Sequence, residues 1–165
     1  MPLKDYMSNV IIREMCDSDL VRVSVIVCNC YRLLAKHEGL TQEQVVHLLS
    51  ARGSEEAIQN QRQQQLFLVA VGDNTLMGVA SIENNELAKL YVDPESHGRG
   101  IGKRLFREAQ QFILGNGYSE MFLGAFSSAI PFYERLGMTV SHTKSINRGP
   151  LTGLKHAVMT ISLRE

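Results

Sequence analysis

Residues 87 to 109 read "LAKLYVDPESHGRGIGKRLFREA", and the reading of this stretch decides the fold. It begins as a strand and breaks at Asp93 and Pro94. It then passes glycines at 98, 100 and 102 and continues as a helical stripe of Ile101, Leu105, Ala109, Phe112 and Ile113. "GNG" at 115 to 117 stops that helix, and "SEMFLGA" (119 to 125) is the next strand. Strand, helix, strand is a crossover unit, so the strands near 86 to 92 and 119 to 124 are expected to run parallel.

Working outward, "LFLVAV" (66 to 71) and "TLMGVASI" (75 to 82) flank the turn "GDN". Asn84 and Asn85 tolerate the left-handed conformation of a second tight turn, which makes these strands an antiparallel meander. Upstream stand three helix signals. Asp17 or Ser18 is a cap for a helix running towards His37 and stopping at Gly39. Thr41 with Gln44 is a capping box for a second helix that stops at Gly53, and Ser54 starts a third. "QNQRQQQ" (59 to 65) reads as a solvated helix end. Beyond the crossover, a short helix around "SAIPFYERLG" precedes strands near 139 to 145 and 155 to 163. The expectation is one α/β domain over residues 1–165, a mixed and mostly antiparallel sheet flanked by helices.

The chain has 165 residues, and 17 basic and 17 acidic side chains cancel to a formal charge of zero. That balance argues against nucleic acid as a partner, because the broad positive field is missing. No apolar stretch reaches about 18 residues, and "LVRVSVIVC" is interrupted by Arg22, so no membrane partner is expected. Cys16, Cys28 and Cys30 are odd in number, and "MPLKDYMSNV" has no export pattern, which points to a reducing, cytoplasmic setting. Cys28 and Cys30 sit two apart on a helix and point to roughly opposite sides. They read as buried reduced thiols, and no metal is expected.

The glycine loop has three phosphate-binding readings, since a strand running through glycines into a helix offers free N–H groups and a positive helix end. A P-loop fails at His97 and Arg104. A dinucleotide fold fails because Lys103 stands where the third glycine belongs and Glu120 lies at the start of the next strand. The third reading is the [QR]-x-x-G-x-[GA] loop, matched by Gly100 and Gly102 with His97 at the first position.

That loop, with "LAKLYVDPESHGRGIGKRLFREA" before it and "AIPFYERLGM" after it, resembles the GNAT superfamily of N-acetyltransferases over nearly the whole chain, from "VIIREMCDSDL" to "AVMTISLRE". The resemblance implies a sheet whose one parallel strand pair splays apart and acetyl-coenzyme A as co-substrate, with pantetheine in the gap. It implies that Leu90 binds the thioester carbonyl through its backbone and that Val92 pairs with pantetheine amides, Tyr91 lying between them. His97, Gly98, Arg99, Gly100, Ile101, Gly102 and Lys103 would hold the pyrophosphate.

Acyl transfer to an amine needs a neutral amine, a polarised carbonyl and a proton for the departing thiolate. By the same resemblance, Tyr133 fits the proton donor, against a reading in which it packs with Ala129, Phe132 and Leu136. Glu86, four residues before Leu90, fits a base acting through water, and alternation puts its side chain on the face of Ala88 and Leu90. Glu83 is the weaker candidate, and both stand beside a hairpin tip where charges are commonly just solvated. Many relatives carry an asparagine where this chain has Phe126. Ser127 or Ser128 substitutes for it at the cofactor or serves as an N-cap.

The resemblance divides the chain into an acceptor-side helical region (17–64), an acetyl-coenzyme A core (66–137) and C-terminal strands (139–163). The acceptor, a small-molecule or peptide amine, would be sensed by 17–64 and by "TKSINRGPLTGLKH" (143 to 156). There, Lys144, Arg148 and Lys155 either favour an acceptor bearing a carboxylate or phosphate or are simply solvated. The cysteines fall outside the motif region, which favours direct attack in a ternary complex. A non-catalytic acyl-coenzyme A sensor is the rival; it would keep the glycine loop without needing Tyr133 and Glu86. Dimers are common in the superfamily, so a homodimer stays open, though no exposed apolar stripe demands one.

Overall fold

The structure, a computed structural model, describes residues 9–164; most of the opening "MPLKDYMSNV" therefore lies outside the described residues. The elements follow the sequence as β1 (Ile11–Glu14), α1 (Leu20–Glu38), α2 (Gln42–Leu48), α3 (Glu55–Gln61), β2 (Leu66–Gly72), β3 (Thr75–Glu83), β4 (Glu86–Val92), α4 (Ile101–Gly115), β5 (Glu120–Ala125), α5 (Ile130–Arg135), β6 (Thr139–Ser145) and β7 (Lys155–Ser162). The sheet order is β1-β2-β3-β4-β5-β7-β6. Each neighbouring pair is antiparallel except β4 and β5.

The turns behave as their residues dictate. Asp73 and Asn74 take φ of 51° and 59°, and Asn84 takes 55°, the left-handed conformation a tight hairpin needs. Thr41 and Gln44 exchange both capping-box bonds, and the Ser54 hydroxyl accepts the Ala57 N–H. Gly39 closes α1 in the left-handed conformation.

Two local expectations are corrected. α1 is not capped by Asp17 or Ser18: a 3-10 turn, Asp17–Asp19, precedes it, and it is Asp19 whose carboxylate accepts the Cys16 N–H at 2.9 Å. The reason is Arg13, which donates to both oxygens of Asp19 and holds its carboxyl down at about 2. β1 was not foreseen as a strand, because "IIRE" is short and does not alternate. It is held by pairing with β2, Ile11 opposite Val71, while Arg104 of α4 donates to the carbonyl of neighbouring Val10 at 2.7 Å.

The sheet separates two cores. One, under α4, gathers Ile101, Leu105, Phe106, Ala109 and Ile113 with Leu87, Met121, Leu123 and Met159 of the sheet. The other, under α1 to α3, gathers Val23, Ile26, Val27, Tyr31, Leu48 and Ile58 with Phe67, Val69 and Val79. Leu151, from the 3-10 turn Gly149–Leu151, joins the second core, and Gln44 of α2 donates to the Pro150 carbonyl at 3.3 Å. The 143 to 156 segment is thereby tied to the N-terminal helices.

β4 and β5 meet in register only at Glu86 and Phe122, where the Phe122 N–H donates to the Asn85 carbonyl at 3.1 Å. Past that point they part, and the gap between them positions the site.

Candidate active site

β4 is irregular where it matters. Lys89 stands opposite Ser81 and Leu87 opposite Ile82, so Ala88 is an extra residue, a β-bulge. Beyond it the Asp93 N–H donates to the Met77 carbonyl at 2.8 Å. Groups of residues 91 and 93 therefore face β3, and by alternation those of Leu90 and Val92 face the gap.

The same bulge changes the face of every side chain before it. Leu87, Leu90 and Val92 all pack against the α4 core, whereas Tyr91 packs in the α1 core. Glu86, adjacent to Leu87, therefore shares its face with Lys89 and Tyr91. The expectation that it sits on the face of Leu90 is corrected, because that reading assumed unbroken alternation.

On the α4 side a groove of about 480 Å³ runs along the gap. Leu90, Val92, His97, Gly98, Gly100, Ile101, Gly102, Lys103 and Tyr133 line it, together with Ser96, Ala129, Phe132 and Arg135. Gly98 and Gly100 have φ of 80° and 74°, a conformation costly for other residues. Gly102 is glycine for a different reason: a Cβ there would lie 3.2 Å from Phe132 Cζ and 3.5 Å from Val92 Cγ2. The first bond of α4 runs from the Arg104 N–H to the Gly100 carbonyl at 3.1 Å. Preceding N–H groups have no partner in the helix and form an anion-binding end beside the groove.

Three of the sequence-predicted residues stand elsewhere. Arg99 lines a separate recess with Arg22 and Asp93, which form an ion pair. The Tyr91 ring turns to the other side of the sheet, edge-on to Tyr31 at 5.2 Å, and burial pushes its hydroxyl up. Ser128 does not line the groove, and neither serine caps α5 with its side chain. Instead Glu38, at the end of α1, accepts from the Ser128 N–H at 2.9 Å and from the Ser127 hydroxyl at 3.0 Å.

His97 Nε2 donates to the Val92 carbonyl at 2.8 Å, and the Cys30 thiol donates to the same oxygen at 3.2 Å. Cys30 thus reaches the motif region despite its distance in sequence. Burial and nearby Asp93 push its pKa up to about 12, which leaves it a thiol rather than a nucleophilic thiolate. The three cysteines are free, Cys16 exposed and Cys28 and Cys30 half-buried, so the expectation that Cys28 and Cys30 are buried is corrected to partial burial.

On the opposite face a smaller recess of about 100 Å³ is lined by Leu34, Lys89, Leu90, Tyr91, Gly124, Phe126 and Tyr133, among others. The two hollows share Leu90, Ala129 and Tyr133. Tyr133 stands between them, its ring 5.1 Å from Phe132 and 6.2 Å from Phe106. Burial holds its hydroxyl well above the usual phenol range, so it stays protonated at neutral pH.

Around the smaller recess gather Glu86 and two side chains that sequence reasoning did not name, His156 and Lys89. Glu86 is raised by burial and by Glu83, against the pull of Lys144, Arg52 and Lys89. His156 of β7 lies over Gly124, where a Cβ would come within 3.1 Å of its Cδ2. Burial, with Lys144 and Arg52, lowers its pKa, keeping the imidazole neutral. Lys89 is buried at 7% exposure, and burial and Arg52 lower it to about 8. Their pattern signal was weak, since Lys89 interrupts an apolar strand without a motif around it. Among the described residues no group of His, Cys, Asp and Glu could hold a metal ion, and no helix is long and apolar enough to cross a membrane.

Comparisons with known proteins agree with this geometry. The family described as the acetyltransferase (GNAT) domain matches residues 35–163. A GCN5-related N-acetyltransferase from Rhodopseudomonas palustris superposes with a TM-score of 0.84 at 22% identity, over 94% of this chain and 97% of that one. PaiA N-acetyltransferase from Thermoplasma acidophilum, solved in complex with coenzyme A, gives 0.75 at 24% identity, over 93% and 98%. Among curated proteins, N-acetylaspartate synthetase of Xenopus tropicalis is 29% identical over an alignment of 102 residues that covers 56% of this chain and 37% of that protein. The chain therefore spans little more than a third of the curated relative's length.

Proposed function

The chain belongs to the acetyltransferase (GNAT) family, and on that premise we propose that it transfers an acetyl group from acetyl-coenzyme A to a primary amine by direct attack in a ternary complex. The observation that carries this reading is the pair of hollows meeting at Leu90, Ala129 and Tyr133. A thioester lying in the gap of β4 and β5 would be open to the acceptor from one side and to its coenzyme tail on the other. PaiA, solved with coenzyme A, and a Salmonella typhimurium acetyltransferase, YncA, solved with acetyl-coenzyme A at 19% identity and a TM-score of 0.68, share this fold and support the assignment of the groove.

In this reading the N-terminal end of α4 with Gly98, Gly100 and Gly102 holds the pyrophosphate through main-chain N–H groups. Leu90, whose backbone faces the gap, donates its N–H to the thioester oxygen as negative charge develops there. A free alkylammonium has a pKa near about 10.4, so a proton must leave it before attack. Glu86 takes that proton through water, helped by surroundings that raise its basicity. The amine nitrogen then bonds to the carbonyl carbon, the carbon–sulfur bond breaks, Tyr133 gives its proton to the departing thiolate, and the proton shed by the new amide nitrogen returns through water to the Tyr133 oxygen. Cys30 takes no part, because its thiol is held protonated.

The acceptor is a small amine or peptide sensed by residues 17–64 and 143–156. A non-catalytic acyl-coenzyme A sensor would bind the co-substrate without turning it over. Thiol release over a panel of amines, amino acids, polyamines, aminoglycosides and peptides separates the two. Tyr133→Phe is expected to lower kcat on an active substrate by about 100-fold or more with little change in acetyl-coenzyme A binding. Undiminished turnover would give the acid role to another group.

A further inference from the structure

The acceptor side of the sheet carries more positive charge than proton transfer and thioester activation require. Lys89 lines the smaller recess beside Leu90 and Tyr133. It retains only 7% exposure and has no hydrogen bond or ion pair among the described residues. Across the strand pair it faces Ser81, which is wholly buried and whose hydroxyl also lacks a hydrogen-bond partner among the described residues. Directly opposed residues share a face of the sheet with Cβ atoms about 5 Å apart.

More cations approach from neighbouring elements. Arg52, from the turn Leu49–Gly53, is close enough to act on both Lys89 and Glu86. Lys144 of β6 acts on Glu86 and His156. Glu86 opposes them, while Glu83 accepts from Gln65 Nε2 at 3.4 Å. A lysine buried along most of its length, with no hydrogen-bond acceptor for its ammonium among the described residues, is costly unless a ligand completes it.

We propose that Lys89, in the field of Arg52 and Lys144, forms an anchor for a carboxylate of the acceptor, so that the substrate is an amine carrying a carboxylate a few bonds from its nitrogen. This deepens, and rests on, the acetyltransferase reading. Lys89 directly precedes Leu90, so a carboxylate held on its ammonium leaves the amine of the same molecule near the thioester. The recess measures about 100 Å³, and its one ammonium matches the single negative charge of a carboxylate. The ammonium is a compact point charge that needs no bidentate geometry.

The test is a thiol-release assay over four matched amines of one chain length: the amino acid, its carboxamide, the decarboxylated amine and the aminophosphonate. One charge-assisted hydrogen bond predicts kcat/KM for the amino acid about 10- to 100-fold above the others. Lys89→Met should erase that preference through KM, and Arg52→Gln should weaken it, while acetyl-coenzyme A titration of both variants stays at the wild-type Kd. In parallel, saturating amino acid should raise the Tm of the wild type and not of Lys89→Met. Equal rates for all four amines, or a preference that survives Lys89→Met, overturns the anchor and leaves the transferase reading standing. A preference for the phosphonate overturns the assignment to a carboxylate. Thiol release from none of them, with acetyl-coenzyme A bound, overturns the transferase reading instead, and the thermal shift then decides the anchor alone.

Discussion

Replacing Gly102 by Asp sets fold stability against cofactor binding, with opposite signs expected for the two. Gly102 is the second residue of α4 and, unlike Gly98 and Gly100, does not need the left-handed conformation. A side chain there incurs no backbone strain, and an aspartate in the first turn of a helix is favourable by about 0.3–1 kcal/mol, with a few tenths more from replacing glycine. The new Cβ would sit 3.2 Å from Phe132 Cζ, and the ring edge must yield by a few tenths of an ångström. The net expectation is an unchanged Tm, or a rise of about 1–4 °C. Binding moves the other way, because the carboxylate occupies the end of α4 where the pyrophosphate should sit. Losing two charge-assisted bonds at about 1.5–3 kcal/mol each removes about 3–6 kcal/mol, a rise in Kd of at least about 100-fold. Titration calorimetry with acetyl-coenzyme A and a thermal melt read both quantities on one preparation. A variant that melts like the wild type and binds acetyl-coenzyme A within about threefold of it would refute the anion-cradle argument for this loop.

Two further predictions concern charges in the fold itself. Lys89→Met should stabilise the protein at pH 7. The folded-state pKa of Lys89, held at about 8 by burial and Arg52 against Glu86, lies below the unfolded value, so the cost of burying its charge is fully present below pH 8. That cost, about 2–3 kcal/mol, shrinks as pH rises towards the unfolded value near 10.5; urea melts at pH 7 and pH 10 should therefore show the variant's advantage fading, and an equal advantage at both would contradict it. Asp19→Asn should cost about 1–2 kcal/mol at pH 7, discounted because Arg13 is partly exposed. Asp19 has a lowered folded pKa, so this stability is present above pH 4 and is lost as pH falls towards 2, which acid melts of the two proteins would measure.

What the sequence revealed and what it hid divide along physical lines. Turns, caps and the crossover depend on residues close in the chain: Thr41 with Gln44, the Asp73-Asn74 pair, and the glycines leading into Ile101. Each of these contacts formed as expected. The groove was legible for the same reason, since a strand, its loop and the following helix start are contiguous. Contacts made by distant residues were not legible. Asp19, paired with Arg13, took the Cys16 N–H, Glu38 took the Ser127 and Ser128 groups from the end of α1, and Cys30 reached the Val92 carbonyl from α1. Nothing in the local pattern of any of these announces its partner.

The bulge at Ala88 explains why the acceptor side was the least legible part. One inserted residue does two things at once. It turns the backbone groups of Leu90 and Val92 into the gap, and it sends Glu86 to the same face as Lys89 and Tyr91. A strictly alternating β4 would have kept Glu86 on the face of Leu90, the α4 side, with no carboxylate beside Lys89. Had the register of Leu87 been kept instead, the backbone groups of Lys89 and Tyr91 would face the gap and the Leu90 side chain would leave the α4 core. The irregularity therefore joins the coenzyme side and the acceptor side of the site across one strand. Any substitution that restores regular pairing between Ser81 and Glu86 should damage cofactor binding and acceptor choice together, because both depend on the same extra residue.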